Sequence, residues 1–572
     1  MWSIVAGVQE YIQVMIDRIS GMKVLVLDAE TVGIISMVFS QSDILSHEVF
    51  LVERLDADQH EKMRHLKAIC LLRPTNQNFL ALSKELKSPK YNEYHIFFTN
   101  VVPHMRLEQL ACCDECEVVY QVQEFYADVF AVNHELFSLN LPSTSRLTED
   151  HSRWSTYEEK IFDRIVEGLL ATCLALRMLP VIRFTASSEL TRQIAYRLQS
   201  RITEESSLFE ASGREARNEA PPQLLLLDRR NDPVTPLLNQ WTYQAMLHEL
   251  LAMENNRVDM SKVPGIRPEL KEIVMSTTQD RFFEENMLAN WGELCNNIQN
   301  LVTEWQEQTK NTANIESIED MQRFVDEYPE FRKKSGNVDK HVAVVHELQR
   351  LIMSNGLMEA SQLEQDLACS ENRQEHYRLL SEMIRGRSIT NMERLRLVLL
   401  YSLRYEHDHS NIHQLKDMLR SNGIGEDQTG LVDHILRYAG SHVRTGDLFQ
   451  NKSFLAQARS TLTRGLRDVE NVYTQHKTLA ASVVDSLMRG RLKETSYPFA
   501  DSSRASLASR GQVPRAVIFV VGGATFEEAR DINEVNRSLE DGRSVILGGT
   551  TVHNSRSFLA DIAQLNARTA QE

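Results

Sequence analysis

The segment Gln223–Pro236, QLLLLDRRNDPVTP, decides how the rest of this sequence is interpreted. Its four consecutive leucines are typical of a strand that is buried on both faces of a parallel sheet. Pro233 and Pro236 then fix a rigid turn. The strand ends at Asp228, and this end of a parallel strand is where α/β proteins usually build their sites. The segment therefore predicts the start of an α/β unit.

This unit has no partner strands close by in the sequence. From Trp241 to about Leu479 the chain has almost no strand character, whereas Val517–Val521 and Ser544–Leu547 resume a strand, helix, strand pattern. Such alternation is typical of βαβ units. We therefore predict a discontinuous α/β domain, closed by the C-terminal segment and interrupted by a large helical insertion.

The first 140 residues predict a separate α/β domain with a parallel sheet. Short β-rich runs alternate with helical stretches, after an amphipathic N-terminal helix within residues 1–21. A further helical stretch covers residues 152–179. The predicted strands are Lys23–Leu27, Glu48–Val52, Lys67–Leu72, His95–Phe98 and Val118–Val122, and the predicted helices are Thr31–Leu45, Gln59–Leu66 and Asn76–Leu86.

Composition excludes several classes of protein. The 572 residues carry 63 basic and 79 acidic side chains, and the formal charge of -16 disfavours binding of the whole protein to nucleic acid. The longest apolar run, Ala516–Ala524, is too short to span a membrane. Seven scattered cysteines fit a reducing compartment, and we expect a cytoplasmic protein.

The helical insertion contains a predicted helical hairpin. Trp291, Ile298 and Trp305 belong to one apolar stripe, which the polar run 306–314 should end. A second helix, after a Ser317 capping box, should stop or kink at Pro329. A third stripe after Gly336 contains Val338, Val342, Val345, Leu348 and Ile352.

Few residues suggest catalysis. Asp28 and Glu30 follow the first strand, as do the carboxylates of aspartate-dependent phosphatases, but an ordinary strand-end turn explains them better. The pairs Gly522, Gly523 and Gly548, Gly549 lack a phosphate-loop pattern and predict tight turns. Cys112, Cys113 and Cys116 have no second ligand pair for zinc. We expect no catalytic residue, metal or cofactor.

A possible interaction surface follows Pro103. Leu107, Leu110 and Ala111 share one face of a short helix, and the β-rich Val119 and Val122 come soon after. The spacing alone favours ordinary core packing. The alternative is a shallow apolar pocket for a short partner peptide.

Read together, long segments of the chain strongly resemble the Sec/Munc (SM) family of membrane-fusion regulators, in its endosomal and trans-Golgi vacuolar-protein-sorting branch. The resemblance spans almost the whole chain. Its segments are Met22–Asp28 (MKVLVLD), His65–Thr75 (HLKAICLLRPT), Glu135–Leu141 (ELFSLNL), Leu224–Leu250, Tyr328–Lys340 (YPEFRKKSGNVDK), Glu470–Lys477 (ENVYTQHK) and Val545–Asn554 (VILGGTTVHN).

The resemblance implies a three-domain arch without enzymatic activity. The implied parts are an N-terminal α/β domain at 1–132, a central α/β domain at 133–245 and 480–572, and a helical domain at 246–479 with a hairpin arm at about 289–353. Proteins of this family bind a syntaxin-type (Qa) SNARE and promote assembly of the SNARE bundle. We therefore expect peripheral association with Golgi, trans-Golgi and endosome membranes through partners.

The resemblance also implies roles for single residues. Leu107, Leu110, Ala111, Val119 and Val122 look like the pocket for the N-terminal peptide of the SNARE. Other SNAREs of the bundle, and a Rab-effector tether, are further implied partners. Two other hypotheses stay open, namely a phosphatase or nucleotide-dependent enzyme that uses Asp28 and Glu30, and a purely structural tether. The surface that assembles SNARE helices is implied to lie on the hairpin, with Pro329 at its tip and with Trp291, Ile298, Trp305, Val338, Val342 and Val345.

Overall fold

A computed structural model describes residues 2–57, 62–209, 220–312, 318–445, 475–504, 512–539 and 542–566. The described chain divides into two compact units. The first comprises residues 1–229, 480–524 and 532–552, and the second comprises residues 230–479, 525–531 and 553–572. The domain boundaries expected from the sequence, at residues 132, 245 and 479, differ from the boundaries of these two units and stay a prediction.

Thirteen strands are assigned in the described residues. They are β1 Lys23–Leu27, β2 Val49–Arg54, β3 Lys67–Leu72, β4 Glu93–Phe98, β5 Val119–Glu124, β6 Phe130–Asn133, β7 Leu136–Ser138, β8 Val181–Phe184, β9 Gln223–Asp228, β10 Arg257–Asp259, β11 Glu272–Val274, β12 Arg515–Val521 and β13 Ser544–Gly549.

The helices make up most of the remainder. They are α1 Ile4–Asp17, α2 Thr31–Val38, α3 Gln41–Ser46, α4 Asn76–Lys87, α5 His104–Cys113, α6 Thr156–Ala175, α7 Glu189–Glu204, α8 Tyr243–Leu250, α9 Arg281–Asn286, α10 Trp291–Thr312, α11 Ile318–Ser354, α12 Leu357–Cys369, α13 Arg373–Arg385, α14 Asn391–Arg404, α15 His409–Ser421, α16 Glu426–Ala439, α17 Leu479–Met488, α18 Phe526–Ser538 and α19 Ser555–Ala563.

The first unit contains two sheets. One has the order β2-β1-β3-β4-β5 with every neighbouring pair parallel, so β5 is an edge strand. The other has the order β6-β7-β13-β12-β9-β8, in which only β6 and β7 are antiparallel. The C-terminal strands β12 and β13 therefore complete the sheet that β9 begins, and the predicted discontinuous α/β domain is confirmed.

One apolar core serves both sheets of this unit. It includes Leu25 and Phe97 of the first sheet, Leu224 and Phe519 of the second, and the buried stripe of α1. Ser3 caps α1 by accepting a hydrogen bond from the amide of Ala6 at 3.3 Å. The amphipathic N-terminal helix of the sequence prediction is thus a structural element of this core.

Two local predictions for the first unit are wrong. The predicted helix Thr31–Leu45 is two helices, because Ser40 forms a capping box with Asp43 and starts α3. Where Gln59–Leu66 was predicted to be helical, residues 62–66 form a turn, closed by the Leu66 amide and the Met63 carbonyl at 3.0 Å. Residues 58–61 lie outside the described part.

The Ser-, Arg- and Ala-rich segment Thr495–Arg510 has no helical or strand period, a pattern that predicts a mobile loop or a phosphorylation target. Its described residues 495–504 are instead hydrogen-bonded to the second sheet. The Phe184 amide donates to the Pro498 carbonyl at 3.2 Å, and the Ala500 amide donates to the Ile182 carbonyl at 2.9 Å. These bonds extend the second sheet beside its edge strand β8, which explains why the absence of periodicity did not mean absence of order. Residues 505–511 lie outside the described part.

The second unit is mostly helical, with the small antiparallel pair β10 and β11. Its core contains a fully buried arginine, Arg396, which donates to the carbonyl of Leu237 at 2.7 Å. Arg396 also pairs with Glu364 at 3.1 Å and with Glu393 at 3.1 Å. These bonds satisfy a charge that would otherwise be costly to bury, and they join α12, α14 and the segment before α8.

None of the helices among the described residues is both long enough and apolar enough to cross a bilayer.

Candidate functional site

The predicted peptide pocket falls on one edge of the first sheet. Helix α5 begins after Pro103 and ends at Cys113, and the chain then returns as the edge strand β5. Asp114 holds this return by accepting hydrogen bonds from the amides of Val118 at 3.0 Å and Val119 at 2.9 Å. We call the surface formed by Leu107, Leu110, Ala111, Val119 and Val122 the α5–β5 face.

The structure brings part of the predicted set together in one apolar cluster. Leu110 is buried, and the half-buried Leu107 and Val119 pack against the same cluster, which also contains Phe79 and Phe98. The core-packing interpretation is therefore correct for Leu110. Leu107 and Val119 join that core to the solvent-exposed surface.

The two remaining residues are exposed. Val122 is 42% exposed, and Ala111 lies on the outer side of α5. In the parallel register Val119 pairs with Tyr94 and Val122 pairs with Ile96. Paired residues of neighbouring strands point to the same face of a sheet, so Val119 and Val122 share a face. A register shift between these pairs makes this possible despite their odd spacing.

Sequence reasoning missed two exposed apolar residues near the start of α5. Val101 is 40% exposed and Met105 is 69% exposed. Neither belongs to the helical stripe that marked the pocket, which is why spacing did not identify them. The three cysteines that follow differ in exposure: Cys112 and Cys116 are exposed, while Cys113 is half-buried against the apolar cluster.

Asp28 and Glu30 are already engaged in hydrogen bonds. Asp28 accepts from the amides of Thr31 at 2.8 Å and Arg73 at 2.7 Å, and from the side chain of Asn78 at 2.6 Å. Glu30 accepts from the Arg73 guanidinium at 3.0 Å. The Asp28 carboxylate therefore accepts from the amides at the start of α2 and joins two loops, as the strand-end interpretation predicts.

No group of three or more His, Cys, Asp or Glu side chains in the described part of the chain is arranged to hold a metal ion. The first glycine pair, Gly522 and Gly523, lies in a turn, and the second pair, Gly548 and Gly549, lies in close contact with neighbouring residues. Gly522 and Gly523 both have positive φ, of 96° and 91°. Gly548 lies directly against the ring of Phe137.

The predicted hairpin is formed by α10 and α11. Helix α10 ends at Thr312, inside the polar run that was predicted to end it. Helix α11 continues through Pro329 and Gly336 as one helix of 37 residues. The break expected at Gly336 is therefore wrong, and of the stop or kink expected at Pro329 the stop is wrong, whereas the kink stays a prediction. An interior proline removes one hydrogen bond of the ladder, and the surrounding turns can still continue the helix.

The predicted hairpin residues differ in exposure. Ile298 and Val338 are buried, whereas Val342 is 40% exposed. Trp291, Trp305 and Val345 are half-buried. Pro329 lies within α11. Of the third stripe, Val342 thus faces outward and Val338 does not.

Sequence reasoning also missed a polar cluster at the base of the hairpin. Asp280, which caps α9, contacts both Lys340 and His341 of α11, and His341 contacts Tyr243 of α8. These residues are separated by up to 98 positions, so no local pattern connects them. Only the capping role of Asp280, directly before a helix, could have been read from the sequence.

The combination of two parallel sheets, the second closed by the C-terminus, with a long helical insertion defines an SM-type fold. Residues 23–561 match the Sec1 family, and the chain belongs to this family.

Curated relatives cover nearly the whole chain. The vacuolar protein sorting-associated protein 45 of Dictyostelium discoideum is 44% identical, and the alignment covers 98% of this chain and 96% of that protein. The human protein of the same name is 44% identical with the same coverage. A solved structure described as the SM protein Vps45 in complex with the Qa SNARE Tlg2 is 41% identical with a TM-score of 0.86, and 98% of each chain is covered.

Proposed function

We propose that this protein is a SNARE chaperone. It binds a syntaxin-type (Qa) SNARE and promotes SNARE assembly in endosomal, trans-Golgi and vacuolar or lysosomal sorting traffic. The observation that carries the proposal is the 41% identity, over 98% of the chain, to a protein whose structure was solved with a Qa SNARE. Membrane association occurs through this partner.

We further propose that the α5–β5 face receives the N-terminal peptide of the SNARE. This proposal is supported by the presence of buried, half-buried and exposed apolar side chains side by side on this face. Leu110 anchors the surface, Leu107 and Val119 are partly open, and Val122 is exposed on the same strand face as Val119. A short peptide needs such preformed apolar contacts, and the exposed apolar side chains lose water when it binds.

A non-catalytic role is part of the proposal. The hydrogen bonds of Asp28 support it, because both oxygens accept from groups of the protein itself. The phosphatase hypothesis predicts instead a metal-dependent activity that Asp28→Asn removes.

The binding test is calorimetric titration of the full chain with the N-terminal peptide of the trans-Golgi syntaxin. We expect micromolar or tighter binding, which Leu107→Arg weakens by at least about tenfold because it places a charge in the apolar face. The matched control is Leu45→Arg. Leu45 is 60% exposed on α3, beside β2 at the opposite edge of the same sheet.

Both variants must unfold at temperatures close to that of the unmodified protein. Equal loss of affinity in Leu107→Arg and Leu45→Arg would contradict the placement of the peptide. Absence of binding by the unmodified protein would contradict the choice of peptide. SNARE assembly assays then test the chaperone role separately.

A further inference from the structure

The base of the hairpin is held by a buried polar cluster. Lys340 and His341 of α11 both contact the Oδ2 atom of Asp280, and the His341 Nε2 lies 3.0 Å from it. The other His341 nitrogen, Nδ1, lies 2.8 Å from the hydroxyl of Tyr243. Asp280, His341 and Tyr243 are almost completely removed from solvent. We call these four residues the hairpin anchor.

The groups of the anchor shift one another's pKa values. Burial lowers the pKa of His341, although Asp280 opposes this. Burial alone would raise the pKa of Asp280, but His341 and Lys340 hold it well below its usual value. A carboxylate only accepts hydrogen bonds, so His341 Nε2–H donates to Asp280, and Nδ1 forms a hydrogen bond with the Tyr243 hydroxyl. Every ring nitrogen thus has a partner.

Two further contacts join the same part of α11 to the β10–β11 pair. The Lys340 ammonium donates to the carbonyl of Val274 at 3.2 Å. The neighbouring Asp339 pairs with Arg267, in the loop between the two strands, at 2.9 Å. Three consecutive residues of α11 are therefore attached to three other parts of the chain, namely the β10–β11 pair, the cap of α9 and α8, and this restricts rotation of α11 about its axis.

The rotation decides which side chains α11 presents to solvent. Val338, His341, Leu348 and Ile352 face the core, while Val342 is 40% and Met353 is 75% exposed. Adjacent residues of an α-helix are about 100° apart, so a rotation of about that size would bring Val342 to the buried position of His341 and expose the polar anchor. The outward face of α11 carries the apolar side chains of Val342 and Met353, with the exposed polar residues His346 and Gln349 between them, and a partner helix can pack on such a mixed face.

We propose that Lys340, His341 and Asp280 are positioning residues, which set the rotation of α11 and so present the Val342 face for SNARE assembly. This inference rests on the proposed chaperone function. The anchor contacts no SNARE itself. It acts by keeping the Val342 face outward, because orientation of a binding surface controls the rate at which two helices are brought together.

The test uses the full chain and compares Lys340→Met with Lys416→Met. Lys416 is the matched control, because it pairs with Asp433 at 2.7 Å on α15 in the same unit, away from the anchor. We measure the rate of SNARE bundle assembly from purified SNAREs and the affinity for the N-terminal peptide. We expect Lys340→Met to slow assembly by about fivefold or more, with unchanged peptide affinity, and Lys416→Met to change neither.

A second readout reports the rotation directly. Val342→Cys is introduced into both variants, and its maleimide labelling is quantified by mass mapping, since Cys112 and Cys116 are exposed as well. We expect labelling at position 342 to change about threefold or more in Lys340→Met, relative to Lys416→Met. A merely destabilising substitution would not change the two measurements together at temperatures where the protein is folded.

Equal assembly rates for Lys340→Met and Lys416→Met would overturn the inference, and so would slower assembly with unchanged labelling. If the unmodified protein does not accelerate assembly, the chaperone proposal fails, whereas the labelling still tests whether the anchor fixes α11. Should Lys340→Met not fold, Lys340→Gln, which keeps a donor for the Val274 carbonyl, is judged by the same criteria.

Discussion

Gly548, in the second sheet of the first unit, has no room for a larger side chain. A Cβ atom at this position would lie 2.1 Å from the Phe137 ring, which is itself completely buried. Gly548 of β13 pairs with Phe137 of β7. Because glycine has no side chain, the Phe137 ring can lie directly over the neighbouring strand at this position. The role of the glycine is close packing, and no phosphate is needed to explain it.

We therefore predict that Gly548→Ala destabilises the protein by about 1–3 kcal/mol, because the buried ring must move. Thermal or denaturant unfolding of the full chain measures the effect. Phe137→Leu shortens the opposing side chain, so the double variant should lose less stability than the sum of the two single variants. A Gly548→Ala protein that is as stable as the unmodified one would contradict the contact.

At the scale of the element, α11 is the most informative helix. It continues through Pro329, although proline cannot donate to the ladder and its ring opposes the helical geometry. A helix with such an interior residue has a bent alternative that costs less than in an uninterrupted helix. We therefore expect a bent and an extended conformation of the hairpin to be close in free energy at Pro329.

Pro329→Ala should favour the extended hairpin and speed SNARE assembly, because alanine restores a backbone donor and is more favourable in a helix by about 3 kcal/mol. The measurement is the assembly rate with purified SNAREs, alongside peptide affinity, which should stay unchanged. Unchanged or slower assembly would count against a two-state hairpin. This prediction concerns the bend, whereas the Lys340 experiment concerns the rotation of the same helix.

At the scale of the whole molecule, contacts between distant parts of the chain shift the pKa of the Glu167 carboxyl. Burial raises the pKa of Glu167 to about 7, and repulsion from Asp128 adds to this, while Arg73 opposes it. Asp163 and Arg201 act on the same carboxyl from α6 and α7. Asp128 is itself paired with Arg73 at 3.3 Å. The cluster joins parts of the first unit that are far apart in sequence.

The raised pKa makes stability depend on pH. The folded protein binds the Glu167 proton more tightly than the unfolded chain does. The stability that this proton contributes is therefore fully present below about pH 4.5 and is lost as the pH rises to about 7. Glu167→Gln should remove it and stabilise the protein at pH 8 by on the order of 2 kcal/mol. Calorimetric unfolding between pH 5 and about pH 8 measures the slope, and an identical pH profile in the variant would contradict the assignment.

Much of the fold could be predicted because its signals are local. The strands Lys23–Leu27 and Lys67–Leu72 were predicted at their observed bounds, since buried parallel strands are continuous apolar runs. The short strands β6, β7 and β8 were missed. They contain three or four residues each, too few for a period to be recognised.

The candidate site divides in the same way. Helical spacing identified Leu107 and Leu110, because residues three apart share a helix face. The exposure of Met105 and Val122 was not predictable, since it depends on what packs against them and on a register shift in β5. The hairpin anchor could not be predicted from the sequence either, because its four residues come from separate parts of the chain. Tyr243 belongs to α8, Asp280 caps α9, and Lys340 and His341 belong to α11.

The sequence by itself determined the two α/β patterns, their interruption by a helical insertion and the resemblance to the Sec1 family, because periodicity and long motifs are properties of contiguous residues. Only the tertiary structure decided which face of α11 is outward and which carboxylates are buried together. These features depend on pairs such as Asp280 and His341, which meet only after folding, when burial has fixed both their distance and their charge.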